Sequence, residues 1–354
     1  MPDPLPGELG SVCGFQNPED VEAVPELGLL LVSQLRSVDG SVPGSLAVLP
    51  VDASGRPVAA PRKLWPSPRF GAAQRLPRMG EAGCTGPPDP ETFAPHGIHA
   101  LPSDPAGVVR VAAVGHGGRE AVELFYLEGR DDDATLNWAG CVPLPESTTG
   151  NDVVIEPDGA LVVSNYMPAA GGVAMLYHSL RSELGAATGD LMSWSRASGW
   201  RHLEGSAART PNGVASSPDG FLFYAETGAG WVSRIPRGGL APDASPERIE
   251  TGGNPDNLSW SLDGKLLAVV HTDGVAFVSC ALGGLPCETG WSLFEIDPST
   301  LDARELFHHS GEVIGAAASA TPLGDRIYIG AVFDDRVGVW LPSEPRPAAG
   351  SGAP

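Results

Sequence analysis

Six stretches of this chain repeat one pattern, and no other feature narrows its fold as much. Each copy opens on a short polar or glycine-containing pair, runs through an apolar stretch, turns, and continues as a β-rich run. The copies are EDVEAVPELGLLLVSQ from Glu19, HGIHALPSDPAGVVRVAAVGH from His96, NDVVIEPDGALVVSNY from Asn151, NGVASSPDGFLFYAET from Asn212, DNLSWSLDGKLLAVVH from Asp256 and GAAASATPLGDRIYIGAVF from Gly315. Successive starts lie 77, 55, 61, 44 and 59 residues apart. A period of roughly 50 residues with strand-like content points to blades repeated around a ring.

Each unit is physically consistent with that reading. Val153, Val154 and Ile155 precede Pro157-Asp158-Gly159, and Leu161, Val162 and Val163 follow, so two strands join at a tight turn. Asp-Gly supplies the positive φ such a turn needs. Further strands follow the copies at 121–128 (AVELFYLE), 231–236 (WVSRIP), 291–297 (WSLFEID) and 336–341 (RVGVWL). No convincing long helix stands out. The expected fold is all-β, a single six-bladed β-propeller over residues 1–341. A lone blade cannot bury both faces, so blades stack into a ring. The 46 glycines and 35 prolines suit so many turns. Within this domain, 53–95 is the longest irregular stretch; part should complete the first blade and the rest cover one face of the ring. Residues 342–354, a low-complexity run, are expected to be a disordered tail.

Several classes are disfavoured. A net charge of −21 opposes contact with nucleic acid, whose phosphates it repels. No apolar run reaches the roughly 20 residues that span a bilayer, so no membrane anchor is expected. The start MPDPLPGELG has no basic region and no apolar core, so the default expectation is a cytoplasmic protein, or a secreted or periplasmic one if a signal has been removed. GxSxG, HExxH and P-loop motifs are missing from the sequence. Of five cysteines, Cys280 and Cys287 flank a Gly/Pro turn and could form a small disulfide; Cys13 and Cys84 each precede a repeat and could meet in space.

In a propeller the innermost strand of each blade lines the central tunnel, so equivalent positions converge on the axis. Those positions hold Glu19, His96, Asn151, Asn212 and Asp256-Asn257, with the sixth, around Gly315, small and apolar. Carboxylate and amide oxygens are hard donors that suit calcium, which takes about 6–8 of them, better than zinc or copper. Glu19 and Asp256 balance the charge of one Ca²⁺, while Asn151, Asn212 and Asn257 add oxygens without charge. Asp131-Asp132-Asp133 reads as a solvated turn, and His178, His202, His308 and His309 have no ring position.

Glu19-Asp20, Pro95-His96-Gly97-Ile98, Asn151-Asp152, Pro211-Asn212-Gly213-Val214 and Asp256-Asn257, in this order, resemble the paraoxonase (arylesterase/lactonase) family within the gluconolactonase-like propellers. VVRVAAVGHGGREAVELFYLE, with His116, is similar to the family's second histidine segment, and the likeness spans about residues 15–341. It implies two calcium ions. Glu19, Asn151, Asn212, Asp256 and Asn257 would hold a catalytic ion; Asp20, Asp152 and the Ile98 carbonyl would hold a deeper structural one. It also implies a His96–His116 dyad and a pocket role for His271. The chain departs from the family in lacking the N-terminal hydrophobic helix and the disulfide that joins the termini. No cysteine lies beyond Cys287, so ring closure must rely on strand pairing.

The expected activity is calcium-dependent hydrolysis of a small lactone or (aryl) ester. His96 would assist an attacking water, His116 would orient His96, and Ca²⁺ would stabilise the oxyanion. Three alternatives stay open: a phosphotriesterase-type reaction with Asp256 as nucleophile, a non-hydrolytic enzyme on the strictosidine synthase-like version of the scaffold, and a non-catalytic binding propeller with structural calcium.

Overall fold

The computed structural model describes residues 4–66, 76–103, 107–168, 172–283 and 286–343. Twenty-four strands form six four-stranded antiparallel sheets. Blade 1 is β2 (Pro18–Val24), β3 (Leu29–Gln34), β4 (Ser45–Pro50) and β5 (Arg62–Trp65). Blade 2 is β6 (Ala94–Ser103), β7 (Val108–His116), β8 (Ala121–Glu128) and β9 (Thr135–Pro143). Blade 3 is β10 (Thr149–Ile155), β11 (Leu161–Met167), β12 (Asp190–Ser195) and β13 (Gly199–His202). Blade 4 is β14 (Pro211–Ser216), β15 (Phe221–Glu226), β16 (Trp231–Pro236) and β17 (Glu247–Glu250). Blade 5 is β18 (Asn254–Trp260), β19 (Leu266–His271), β20 (Trp291–Ile296) and β21 (Ala303–His309). Blade 6 is β22 (Ala317–Leu323), β23 (Arg326–Ala331) and β24 (Arg336–Trp340), completed by β1 (Leu9–Cys13).

That last pairing closes the ring. β1 runs antiparallel to β24, from Leu9 opposite Trp340 to Cys13 opposite Arg336. The chain's beginning is thus sewn to its end by strand pairing, as the cysteine positions required. The strand itself lies before the first repeat.

The core is a ring of six apolar clusters, one between each pair of neighbouring blades. Strand alternation divides the residues. Leu29 and Leu31 pack towards blade 2, with Phe93, Val109 and Phe125, whereas Leu30 and Val32 pack towards blade 6, with Tyr328 and Val339. Side chains of period two therefore bury both faces of each sheet.

Among the described residues two α-helices interrupt the all-β pattern, α1 (Gly172–Glu183) between β11 and β12 and α2 (Gly274–Ala281) between β19 and β20. In α2 (GVAFVSCA) the Asp273 side chain accepts the Ala276 N–H and caps the helix. The segment 53–95 completes blade 1 through β5. Its stretch 79–84 then runs along β9 at the rim of blade 2, with Met79 N–H donating to Ala139 O and Glu81 N–H to Cys141 O. This stretch edges a blade. Residues 67–75 fall outside the described residues, as does the tail from 344 onward.

Cys280 and Cys287 are disulfide-bonded, as their spacing suggested. Cys84 pairs with Cys141, not with Cys13, which is an exposed thiol. The reason is positional. Cys13 ends the outermost strand of blade 6, and Cys84 lies on the rim of blade 2. Both precede inner strands in sequence, yet each sits at the outside of the disc.

Candidate metal centre and active site at the upper mouth

All six inner strands break register near their start, at the end of the tunnel here called upper. The shifts fall between Pro18 and Asp20, Pro95 and Ile98, Gly150 and Val153, Pro211 and Val214, Pro255 and Leu258, and Ala317 and Ser319. In blades 2 to 5, two inner-strand residues oppose one on the partner. Such bulges re-aim side chains that would otherwise alternate between faces. The bulged residues are Glu19, His96-Gly97, Asn151-Asp152, Asn212-Gly213, Asp256-Asn257 and Ala318. The sixth member of the ring is therefore Ala318, three residues beyond Gly315, because the bulge and not the start of the repeat marks equivalence.

Neighbouring bulges pack closely. A Cβ on Gly97 would lie 2.4 Å from Asp152 Oδ1, and one on Gly213 would lie 2.5 Å from Asn257 Cα. Only glycine lets the blades approach this far.

Glu19, Asn151, Asn212, Asp256 and Asn257 are all buried. Asn257 Nδ2 donates to Glu19 Oε1 at 2.8 Å. Glu19 Oε1 lies 3.6 Å from His96 Nε2, which lies 3.5 Å from Asn151 Nδ2. Asp256 Oδ2 pairs with His271 Nε2 at 2.8 Å. Four oxygens of the ring have no hydrogen-bond partner among the described residues: Glu19 Oε2, Asn151 Oδ1, Asn212 Oδ1 and Asn257 Oδ1. Buried oxygens left in this state cost about 1–3 kcal/mol each unless something else satisfies them. Among the described residues no three His, Cys, Asp or Glu side chains form a cluster of their own. The donors here are carboxylates mixed with amides, a composition that fits calcium and not zinc.

One step down the tunnel, Asp20 and Asp152 do structural work. Inner strands are sheet edges, and their free N–H groups face the axis and need partners. Asp20 Oδ2 accepts from Ile98 N–H and Asp152 Oδ2 from Val214 N–H, both at 2.7 Å, so each carboxylate ties its blade to the next. Glu22 does the same for Ala100 N–H, His99 for Ile155 N–H and Ser319 for Val21 N–H.

Burial is the main cause that raises the pKa of these carboxylates. It raises Asp20 to about 7, and it raises Glu19 and Asp152 well above the usual range, with Asp20 adding repulsion to both. A stack of buried carboxylates repels itself, which is the electrostatic setting that a divalent cation relieves.

His96 Nδ1 lies 3.2 Å from His116 Nε2. Burial first and His116 second hold the His96 pKa well below its usual range. His96 still keeps 23% of its side-chain surface exposed, so water reaches it. His271 is buried, with its ring 4.3 Å from that of Phe277 on α2. It packs against Asp256.

Three site residues escaped the sequence reading. Glu120 Oε2 lies 2.7 Å from His116 Nδ1; the hairpin spacing His-Gly-Gly-Arg-Glu was the available signal. Tyr166 is raised to about 12, by burial and then by the charge of Asp256, which places it near the ring; nothing in the sequence marks it. His99, three residues after His96, faces the lower half of the tunnel.

A cavity of about 600 Å³ opens at that lower end, reaching from Asp20 and Asp152 past Glu22, His99 and Trp260. Glu19, His96, Asn151, Asn212, Asp256 and Asn257 are not among the residues that line it. The unpartnered oxygens and the histidine pair, and not cavity size, therefore mark the upper mouth as the candidate site.

The ring, its closure and its tunnel define a six-bladed propeller, and solved structures share it. A luciferin-regenerating enzyme matches with a TM-score of 0.55 at 14% identity, over 97% of this chain and 98% of that one. A protein provisionally assigned as a gluconolactonase matches with a TM-score of 0.50 at 15% identity, over 95% and 93%. The PQQ-bound aldose sugar dehydrogenase of Streptomyces coelicolor matches with a TM-score of 0.52 at 14% identity, over 94% and 98%. No family model matches the chain, and no curated protein does so by sequence. These likenesses establish the fold, of the kind that gluconolactonase-like proteins use. Since they join differently named enzymes, function must be argued from the site.

Proposed function

We propose that this chain is a calcium-dependent hydrolase of lactones or aryl esters, of the paraoxonase-like kind. The observation that carries the reading is the set of four buried, unpartnered oxygens on Glu19, Asn151, Asn212 and Asn257, beside a histidine that water can reach. The amides support it by their orientation: Asn257 turns its NH₂ to Glu19 and Asn151 turns its NH₂ to His96, so both carbonyl oxygens are left free.

Glu19, Asn151, Asn212, Asp256 and Asn257 would hold a catalytic calcium ion, and Asp20, Asp152 and the Ile98 carbonyl a second, structural one. Bound at the upper ring, calcium would supply a Lewis acid for a substrate carbonyl. His96, kept neutral by its surroundings, has a ring nitrogen to take a proton from water. His116 holds the other nitrogen of that ring. His271 holds Asp256 and keeps it aimed. The water route fits better than attack by Asp256, because the His271 contact already occupies one Asp256 oxygen. The names of the luciferin-regenerating and gluconolactonase neighbours agree with a small-molecule substrate. Among the described residues no helix is long and apolar enough to cross a membrane. The two disulfides favour an oxidising compartment over the cytoplasm.

The test is turnover of γ- and δ-lactones and phenyl acetate, with chelator and then with restored calcium. Activity lost and regained supports the proposal. Calcium-dependent melting without turnover of any of them would leave a binding propeller.

A further inference from the structure

We propose that Glu120 is a positioning residue that sets the tautomers of both upper-mouth histidines and leaves His96 Nε2 bare. The role rests on the reading that His96 takes a proton from water. His116 ends β7 and Ala121 begins β8, so only four residues join the strands. Gly117 and Gly118 have φ of 76° and 97°, and a Cβ on Gly117 would lie 1.9 Å from Thr92 O. This tight turn, which side chains other than glycine's would strain, brings Glu120 back against His116. Leu144 N–H pins the Glu120 backbone by donating to its carbonyl at 3.0 Å. The neighbouring Arg119 is engaged elsewhere, donating to both Glu123 oxygens and to Gly86 O.

The proton positions follow from donor and acceptor logic. A carboxylate oxygen accepts, so His116 Nδ1–H donates to Glu120 Oε2 at 2.7 Å. In a neutral His116 ring Nε2 is then an acceptor, and its partner at 3.2 Å, His96 Nδ1, must donate. His96 Nε2 is left with its lone pair, facing Asn151 and Glu19. At the far end Asn151 agrees, while Glu19 Oε1, 3.6 Å from the same nitrogen, already accepts from Asn257 Nδ2. Asn151 presents Nδ2, a donor, at 3.5 Å from His96 Nε2, an arrangement that an N–H on that nitrogen would oppose. Orientation of a working histidine by a partner on its other side typically matters by about tenfold to a hundredfold.

Nitrogen-15 spectra of the histidine rings in the full chain with calcium test this directly, assigned with His96→Gln and His116→Gln. The expected pattern is both rings protonated at Nδ1 and bare at Nε2. Glu120→Ala should mix the tautomers and, where the wild type turns over a lactone or ester, slow it at least tenfold. Glu120→Gln, which keeps an acceptor oxygen, should restore both. A wild-type His96 protonated at Nε2, or Glu120→Ala spectra unchanged from wild type, would overturn the role. If the wild type hydrolyses nothing, the hydrolase reading fails, and the ring spectra still decide this one.

Discussion

Calcium removal should leave the protein less stable as pH rises, and the buried carboxylates supply the scale. Asp20 titrates near 3.8 in an unfolded chain and at about 7 in the metal-free fold, mainly because burial disfavours its charge. A pKa raised by folding means that the folded state holds the proton more tightly. Its contribution is fully present below about pH 4 and is lost as pH rises through about 7. For Asp20 alone the full swing is about 4 kcal/mol. Between pH 5 and pH 8 the part of that swing realised is about 3 kcal/mol, and with a transition entropy of about 0.7 kcal/mol/K for 354 residues it corresponds to about 4 °C in Tm. Glu19 and Asp152 shift in the same direction and add to it. The assay is thermal unfolding by circular dichroism in chelator at pH 5 and pH 8. The metal-free protein should melt higher at pH 5, and calcium should raise the pH 8 transition by more than the pH 5 one. The net charge of −21 also favours lower pH, but its surface part is screened by 0.5 M salt whereas the tunnel is not. Equal metal-free Tm values at both pH values in high salt, or no response to calcium, would refute the reasoning.

Three other outcomes are expected. His96→Gln should lower kcat by about a hundredfold or more with calcium affinity unchanged in calorimetry; normal turnover removes His96 from the reaction. Asn257→Leu deletes one unpartnered oxygen and the hydrogen bond to Glu19, so calcium affinity by titration calorimetry should fall at least about tenfold, and unchanged binding counts against the ring. Gly97→Ala puts a methyl group 2.4 Å from Asp152 Oδ1 and 2.6 Å from Asp152 Cα, so the urea midpoint should fall by an amount equivalent to about 2–3 kcal/mol, whereas a neutral effect would mean that the blades part easily.

The ring was legible in the sequence because its cause is local. Each blade repeats an apolar run of period two, a turn and a second run, and a sheet that is apolar on both faces can only stack on copies of itself. The bulged inner-strand positions, proposed here as ligands, were legible for the same reason, since equivalent places in a repeat must converge on its axis. The register within the ring was less so. Gly315 stood in for Ala318 because the bulge that defines equivalence leaves no mark on residue type. The Cys13–Cys84 pairing failed because chain proximity to an inner strand says nothing about position along the radius. Glu120 lies beyond the end of its repeat copy, His99 and Tyr166 lie inside theirs but not at its opening pair, and β1 lies outside the repeats altogether.

By itself, then, the sequence determined how many blades there are, which residues turn to the axis and that their oxygens are hard donors, for all of this follows from period and residue chemistry. Tertiary structure alone decided which oxygens stay unpartnered, which carboxylates are spent stitching one blade to the next, and which acid stands behind His116. Those outcomes depend on distances between strands tens to hundreds of residues apart, which no local pattern encodes.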